Sequence, residues 1–293
     1  MKRPFIQTLL LLSLILPLEL FAKEKILWVK WKLTPEYMET GKFEGQGFLD
    51  KFLEHTMALM PEYEHESQFQ TLNRINLSWA QGNVCSLHLW LGYWPDKIIY
   101  SKPYAFTPRF GIITRNDSEL ANELGDKQSV SLEYLLNRTD YKMGILPLYY
   151  EGTRNARYPL LAPFISPHLN SNKVFEFDNG RNEMTIKIID KKRVDYIIRQ
   201  QVTHFSELRI DGRPDNYKFY SLDEGKRHKL VAGACSNSEL GKSVIKQFNA
   251  LINDDFHKKY LGFRQEWDKN NLSFEKTFND YFFKGIANPI ITE

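Results

Sequence analysis

Tyr100-Ser101-Lys102-Pro103-Tyr104, with the β-rich run Phe110-Gly111-Ile112-Ile113-Thr114-Arg115 close behind it, decides how this chain is read. The apolar run predicts a strand over 110–114. Upstream, Gly82 ends a helical stretch near Thr71–Ala80 and leads into a second apolar run, Val84-Cys85-Ser86-Leu87. Earlier still, Leu49, Phe52, Leu53, Thr56, Met57 and Met60 recur at helical spacing, so one face of that helix is buried; Pro61 stops it. Ile26-Leu27-Trp28-Val29 is a short β-rich run followed by a turn region from Thr34-Pro35 through Gly41 to Gly47. Downstream come the polar Asn116-Asp117-Ser118, then Ser131–Leu136, Lys142–Leu146, a helical stretch around Asn182–Asp190, and Val194–Ile198. Lys218–Leu222 and Lys229–Ala234 read as strands. Ser238 opens a helix with Leu240, Val244, Ile245, Phe248, Leu251 and Ile252 on its apolar face. Strand and helix alternate throughout, an α/β pattern with mixed or parallel sheets. The Pro-rich stretch Pro159–Pro167 reads as a surface loop.

At 293 residues the chain is long enough for about two domains. It is 42% hydrophobic and only 26% charged, which excludes a disordered tail protein. Lys plus Arg total 39 against 36 Asp plus Glu, interspersed along the sequence, so nucleic acid is not an expected partner. Aromatic residues make up 14% of the chain, more than an ordinary core demands, and some are expected to face a cleft. With only Cys85 and Cys235, a disulfide framework and a four-cysteine zinc site are both excluded; one bridge or two free thiols remain. The N-terminus has a positive start (Lys2, Arg3), an apolar stretch from Leu9 to Leu18, and a small residue, Ala22, before charged Lys23-Glu24-Lys25. That is the pattern of a cleavable secretory signal over residues 1–22. The apolar stretch falls short of the roughly 20 residues a spanning helix needs. A periplasmic location follows, and an oxidising compartment permits a disulfide.

Catalytic signatures are absent. The seven histidines never form a His-Glu-x-x-His arrangement, and no metal site or cofactor is expected. Ser243-Val-Ile-Lys246 and Ser273-Phe-Glu-Lys276 fit a Ser-x-x-Lys pattern, but without its companion segments they read as chance. Gly45-Gln46-Gly47 lacks the third glycine and preceding strand of a dinucleotide site.

Taken together, Gly45-Gln46-Gly47-Phe48-Leu49-Asp50, Leu59-Met60-Pro61-Glu62-Tyr63, Cys85, Tyr100–Tyr104 and Phe110–Arg115 resemble, in order and spacing, the type 2 periplasmic solute-binding proteins of family 3, in particular their uncharacterised exported branch. In that family a Gly-x-x-x-Asp segment opens the first helix, and Phe-Ser-x-Pro-Tyr precedes the strand that crosses to the second lobe. The resemblance resumes at Lys192-Arg193-Val194-Asp195, similar to the family's Gly-Arg-Val-Asp strand. It continues through Val231–Cys235, Gly241–Ile245 and Asn249, so it covers about residues 26–253. It implies an α/β, two-lobed, periplasmic-binding-protein-like type II fold with a central ligand cleft. Lobe one would be built from 23–113 plus 224–293, and lobe two from 114–223. Both cysteines then fall in lobe one, which implies a Cys85–Cys235 disulfide.

Amino-acid binders of the family grip the ligand carboxylate with an Arg six residues before the Phe of Phe-Ser-x-Pro-Tyr. An Asp five residues after the lobe-two Asp holds the ammonium. Those positions here are Trp94 and Gln200, and Gly144-Ile145 replaces the family's Gly-Thr pair. A buried zwitterion needs a partner for each charge, so the ligand is expected not to be a standard α-amino acid. An anionic or aromatic carboxylate is expected instead, with Lys32, Lys97 or Arg199 as cation and Trp31, Trp94, Tyr104, Tyr149 or Tyr150 as aromatic wall. Lys97 would act as a point charge rather than a fork. The resemblance implies an exported, monomeric solute-binding protein that serves a membrane permease and has no chemistry of its own. Two alternatives share the fold: a sensory protein that presents its closed form to a membrane receptor, and a dehydratase-like exported enzyme with Glu151 as acid/base.

Overall fold

The computed structural model describes residues 23–94, 96–138, 140–149, 156–177, 185–225, 228–268, 271–288 and 291–292. Residues 1–22, expected to be a cleavable signal, lie outside them. The strands are β1 (Lys25–Lys30), β2 (Glu64–Phe69), β3 (Val84–Trp90), β4 (Ile98–Phe106), β5 (Phe110–Arg115), β6 (Ser129–Val130), β7 (Met143–Ile145), β8 (Val174–Glu176), β9 (Tyr196–Gln200), β10 (Tyr217–Leu222), β11 (His228–Ser236) and β12 (Ile291–Thr292). They form two sheets. One runs β12-β11-β3-β1-β2 with β4 also paired to β11; the other runs β6-β10-β5-β9-β7-β8.

The two sheets repeat one plan. In the first, β2, β1 and β3 are parallel, and β11 lies antiparallel between β3 and β4. In the second, β8, β7 and β9 are parallel, and β5 lies antiparallel between β9 and β10. Each antiparallel strand is the one whose predecessor in sequence belongs to the other sheet: β4 hands the chain to β5 and β10 hands it to β11. The chain therefore passes between the sheets twice, once through Thr107–Arg109 and once between the end of β10 and the start of β11. This is the α/β two-lobed type II arrangement expected from the resemblance.

Local chemistry explains the helices that position the site. Helix Phe48–Ala58 starts where Asp50 reaches back to accept from the backbone N–H of Gly47 (3.2 Å) and of Met38 (2.8 Å), which ties the long turn 31–46 to the helix start. Lys30 Nζ closes the same knot at 3.0 Å from Asp50 Oδ1. A side chain at Gly47 would have its Cβ 2.3 Å from the Glu36 carbonyl oxygen, so that approach demands glycine. Ser238 caps helix Glu239–Leu251 and Asn253 caps helix Asp254–Gln265.

Much of the aromatic surplus packs inside the first sheet's core. Phe52 lies 4.6 Å from the Phe256 ring, 5.4 Å from Tyr260 and 5.5 Å from Tyr104, and Phe106 packs against Phe274 at 5.0 Å. The C-terminal helices Asp254–Gln265 and Leu272–Phe278 supply half of these rings. The Pro-rich stretch 159–167 departs from a surface loop. It forms a helical turn, Ala162–Ile165, continued as a 3-10 turn, Ser166–His168, because Leu161 and Ile165 are fully buried in the second core.

That first core also encloses charge. Arg264 and Asp268 are paired at 2.8 Å with both side chains only 2% exposed. Nearby Glu36 is buried, its Oε2 without a hydrogen-bond partner among the described residues. Burial raises the Glu36 pKa to about 7, opposed by Arg264 and aided by Asp268. A carboxyl whose folded pKa exceeds its unfolded value of 4.5 stabilises the fold below that value and loses the contribution as pH rises through about 7. His88 and His228, held by burial at about 3 and about 4, act in the opposite direction, gaining stability as pH rises from there toward 6.5. The comparison with Glu36→Gln isolates the carboxyl. The unfolding free energy of wild type relative to this variant should fall by about 2 to 3 kcal/mol between pH 5 and pH 8. Urea titrations at the two pH values check this, and an unchanged difference contradicts it.

Candidate functional site: the junction between the two sheets

The first crossover is laced to the start of β11. Thr107 N–H donates to the Lys229 carbonyl (2.9 Å), and Lys229 N–H donates to Thr107 Oγ1 (3.1 Å). The Arg109 Nε–H donates to His228 Nε2 (3.4 Å), so the neutral ring carries its proton on Nδ1, which donates to the Thr107 carbonyl. Burial, reinforced by the Arg109 charge, lowers the His228 pKa to about 4 and keeps the ring neutral at pH 7. The first crossover and the start of β11 thus share one polar cluster.

Next to this junction, β3 ends in Trp90 and turns sharply. Gly92 has φ +86° and Trp94, unusually for a large side chain, φ +50°. Tyr100, on β4, props the turn from beneath, its hydroxyl shared between the carbonyls of Trp90 (3.2 Å) and Tyr93. Burial raises the Tyr100 pKa to about 12, so this hydroxyl remains a donor. The turn therefore presents a fan of rings, with Trp90–Tyr93 centroids 5.6 Å apart and Tyr93–Trp94 centroids 6.0 Å apart.

The second sheet answers with a loop from the C-terminal end of β7. Arg157 N–H donates to the Leu148 carbonyl at 2.8 Å and Tyr149 bridges Ala156, forming an antiparallel stem. The Tyr93 hydroxyl donates to the Ala156 carbonyl at 3.3 Å and so joins the two sheets' loops directly.

The residues expected to line a cleft fare differently. Trp94 is half-buried against Trp79 at 6.0 Å, and Tyr149 is 43% exposed on its stem. Tyr150 and Glu151 lie outside the described residues. Trp31 is half-buried, edge-on to Tyr37 at 5.9 Å, and Lys32 beside it is exposed. Tyr104 is a core residue: it has no exposed surface and its hydroxyl donates to the Leu87 carbonyl at 2.8 Å, which removes it from the cleft wall. Lys97 is exposed and donates to Asn76 Oδ1 at 2.8 Å. Arg199 is ion-paired with Glu207, whose other oxygen accepts from Ile186 N–H at 2.8 Å, so this cation braces the second sheet's own helix. Gln200 ends β9 opposite Phe110 and caps helix Gln201–Asp211 without a side-chain hydrogen bond. Sequence reasoning passed over Tyr93, Tyr100, Arg109 and Lys229. A tyrosine flanking a glycine turn was the available signal for the first, Tyr100 stood in the Tyr100–Tyr104 motif without a site role, and Arg109 and Lys229 had no signal.

Helix Gln201–Asp211 packs against both sheets. Leu208 packs with Ile113, Ile197 and Tyr217 in a further cluster on the second sheet, and fully buried Val202 joins the first core. Arg209 lies 4.5 Å over the Trp267 ring and donates to the Glu266 carbonyl at 2.7 Å.

The fold is shared with solved periplasmic-binding-type structures. A probable amino-acid ABC transporter extracellular-binding protein from Bacillus subtilis is 13% identical and superposes with a TM-score of 0.59 over 85% of this chain and 99% of that one. A histidine kinase sensor domain similar to periplasmic binding proteins is 12% identical, with a TM-score of 0.58 over 84% and 96% of the two chains. The GluR0 ligand-binding core in complex with L-glutamate is 14% identical, with a TM-score of 0.55 over 83% and 97%. No protein-family model and no curated protein matches the sequence. The chain thus has the type 2 periplasmic-binding-protein fold, a class that includes both solute-binding proteins and sensor domains.

Proposed function

We propose that the chain is an exported solute-binding protein that captures a small molecule between two lobes, 23–113 plus 224–293 and 114–223, and delivers it to a membrane permease without turning it over. The carrying observation is the Tyr93–Ala156 contact: the aromatic turn of one sheet meets the stem loop of the other directly above the double crossover, where a ligand would be enclosed by hinge motion. A leader over 1–22 would export it to the periplasm as a monomer. The sensory reading rests on the same closure with a receptor in place of the permease, and co-purification with a membrane partner separates the two.

The ligand is not a standard α-amino acid, because neither Trp94 nor Gln200 offers a charge, the cations beside them in sequence, Lys97 and Arg199, are engaged, and the position of the family's ammonium-holding Asp is the uncharged Gln200. Calorimetric titration with the twenty amino acids should show no binding tighter than about 100 μM, roughly 5.5 kcal/mol. A thermal-shift screen of a broad metabolite set tests the reading itself, since a ligand bound only by the native state raises the melting temperature. Failure of every solute to do so, or catalytic consumption of the one that does, overturns it.

A further inference from the structure

The sequence nominated Lys32, Lys97 and Arg199 as cations for an anionic ligand. Lys97 is tied to Asn76 at the surface and Arg199 to Glu207, while Lys32 stays exposed beside Trp31. A different lysine stands in the junction itself. Lys229 is the second residue of β11, beside the first crossover, its backbone paired with Thr107, and its ammonium lies 5.6 Å from the centroid of the Tyr93 ring. That ring's hydroxyl is the one that reaches Ala156 of the opposite loop. The lysine therefore sits where the two halves of the molecule meet, in contact with the group that joins them.

Its electrostatic situation is unusual for a lysine. The residue is half-buried, and among the described residues its ammonium has no ion pair and no hydrogen bond. Burial lowers its pKa, and among the described residues no acidic neighbour acts to restore it. A partly desolvated cation without a counter-charge is unfavourable alone and becomes favourable when an anion joins it. The tyrosine face offsets part of the cost but leaves the outer hydrogens of the ammonium without acceptors. The surroundings also define the body of the partner, because Trp90, Tyr93 and Trp94 form a continuous ring fan and Tyr149 stands exposed on the facing stem.

Resting on the solute-binding reading above, we propose that Lys229 receives the anionic end of the ligand and that the ligand is a small aromatic carboxylate stacked against the Trp90–Trp94 turn. The carboxylate completes the lysine's hydrogen bonding as the loops meet, so charge recognition and closure occur together. A neutral analogue of the same shape gains the stacking but leaves the ammonium unpaired.

The test uses the full mature chain with four acids, benzoate, phenylacetate, phenylpyruvate and indole-3-acetate, beside benzamide, phenylacetamide and indole-3-acetamide. At least one acid should raise the melting temperature while its amide does not. For that acid Lys229→Gln should weaken binding by about tenfold or more, Lys229→Arg should keep it within about threefold, and Lys246→Gln, a surface control, should leave it unchanged. Lys229→Met, which keeps the apolar stem, is a second neutral variant and should match Lys229→Gln. Both neutral variants should melt no lower than wild type without ligand, since they remove an unpaired cation. Equal binding of acid and amide, or undiminished binding by Lys229→Gln, overturns the proposal. So does a neutral solute found in the metabolite screen when all four acids are silent, a result that leaves solute binding intact. Silence of every solute sinks both.

Discussion

Replacing Cys85 by Ser is expected to destabilise the protein by up to about 5 kcal/mol, the chain-entropy contribution of a cross-link closing a loop of this length. The two cysteines face each other directly in the antiparallel pairing of β3 with β11, and they are joined across a sequence separation of 150 residues. That separation spans all of β5 to β10, so in the unfolded chain the bond restrains everything that forms the second sheet. Urea unfolding with and without reductant measures the effect, and mutant and reduced wild type should coincide. Thiol counting on denatured, unreduced protein should return none. Two reactive thiols per chain would contradict the pairing.

The second large effect is expected at Asp268. Its partner Arg264 is 2% exposed, with its guanidinium 4.0 Å over the Phe274 ring and 5.2 Å from that of Phe48. Asp268→Ala leaves this guanidinium buried without its hydrogen-bonded counter-ion, and removing one partner of such a pair costs about 3–5 kcal/mol. Glu36 is close enough to feel the change, and losing the Asp268 charge should draw its proton off more readily. Arg264→Met combined with Asp268→Leu should recover most of the loss, because the aromatic surroundings already suit an apolar pair. A single Asp268→Ala variant within about 1 kcal/mol of wild type would show that water or Glu36 compensates fully.

Strands β5 and β11 were legible as runs of apolar residues because each lies inside its sheet and is buried along nearly its whole length, and β10 was legible from its aromatic and β-forming residues although one of its faces is only partly covered. Strand β2 was not. Glu64-His65-Glu66-Ser67-Gln68 sits at the sheet's edge, so neither face needs an apolar alternation, and Lys25 on β1 answers its glutamates at the surface. Strand β4 carried the Tyr100–Tyr104 motif yet gave no strand signal of its own, since Lys102 and Pro103 interrupt its apolar pattern. The C-terminal helices were passed over although Asn253 and Asn271 cap them, and with them went the destination of the aromatic surplus: rings expected at a cleft fill the core that those helices close.

Motif order and spacing along the sequence determined the α/β two-lobed fold, because strand, turn and helix preferences are local and a chain crossing twice leaves its apolar runs at readable intervals. The departure from the zwitterion clamp was likewise a matter of residue type at a position. Which cations are available to a ligand was decided only in three dimensions. Asn76 takes Lys97 from 21 residues away, and Tyr93 meets Lys229 from the far side of the second sheet's entire sequence. An ion's neighbours and its exposure to water set its energy, and neither is a property of the residue or of its place in the chain.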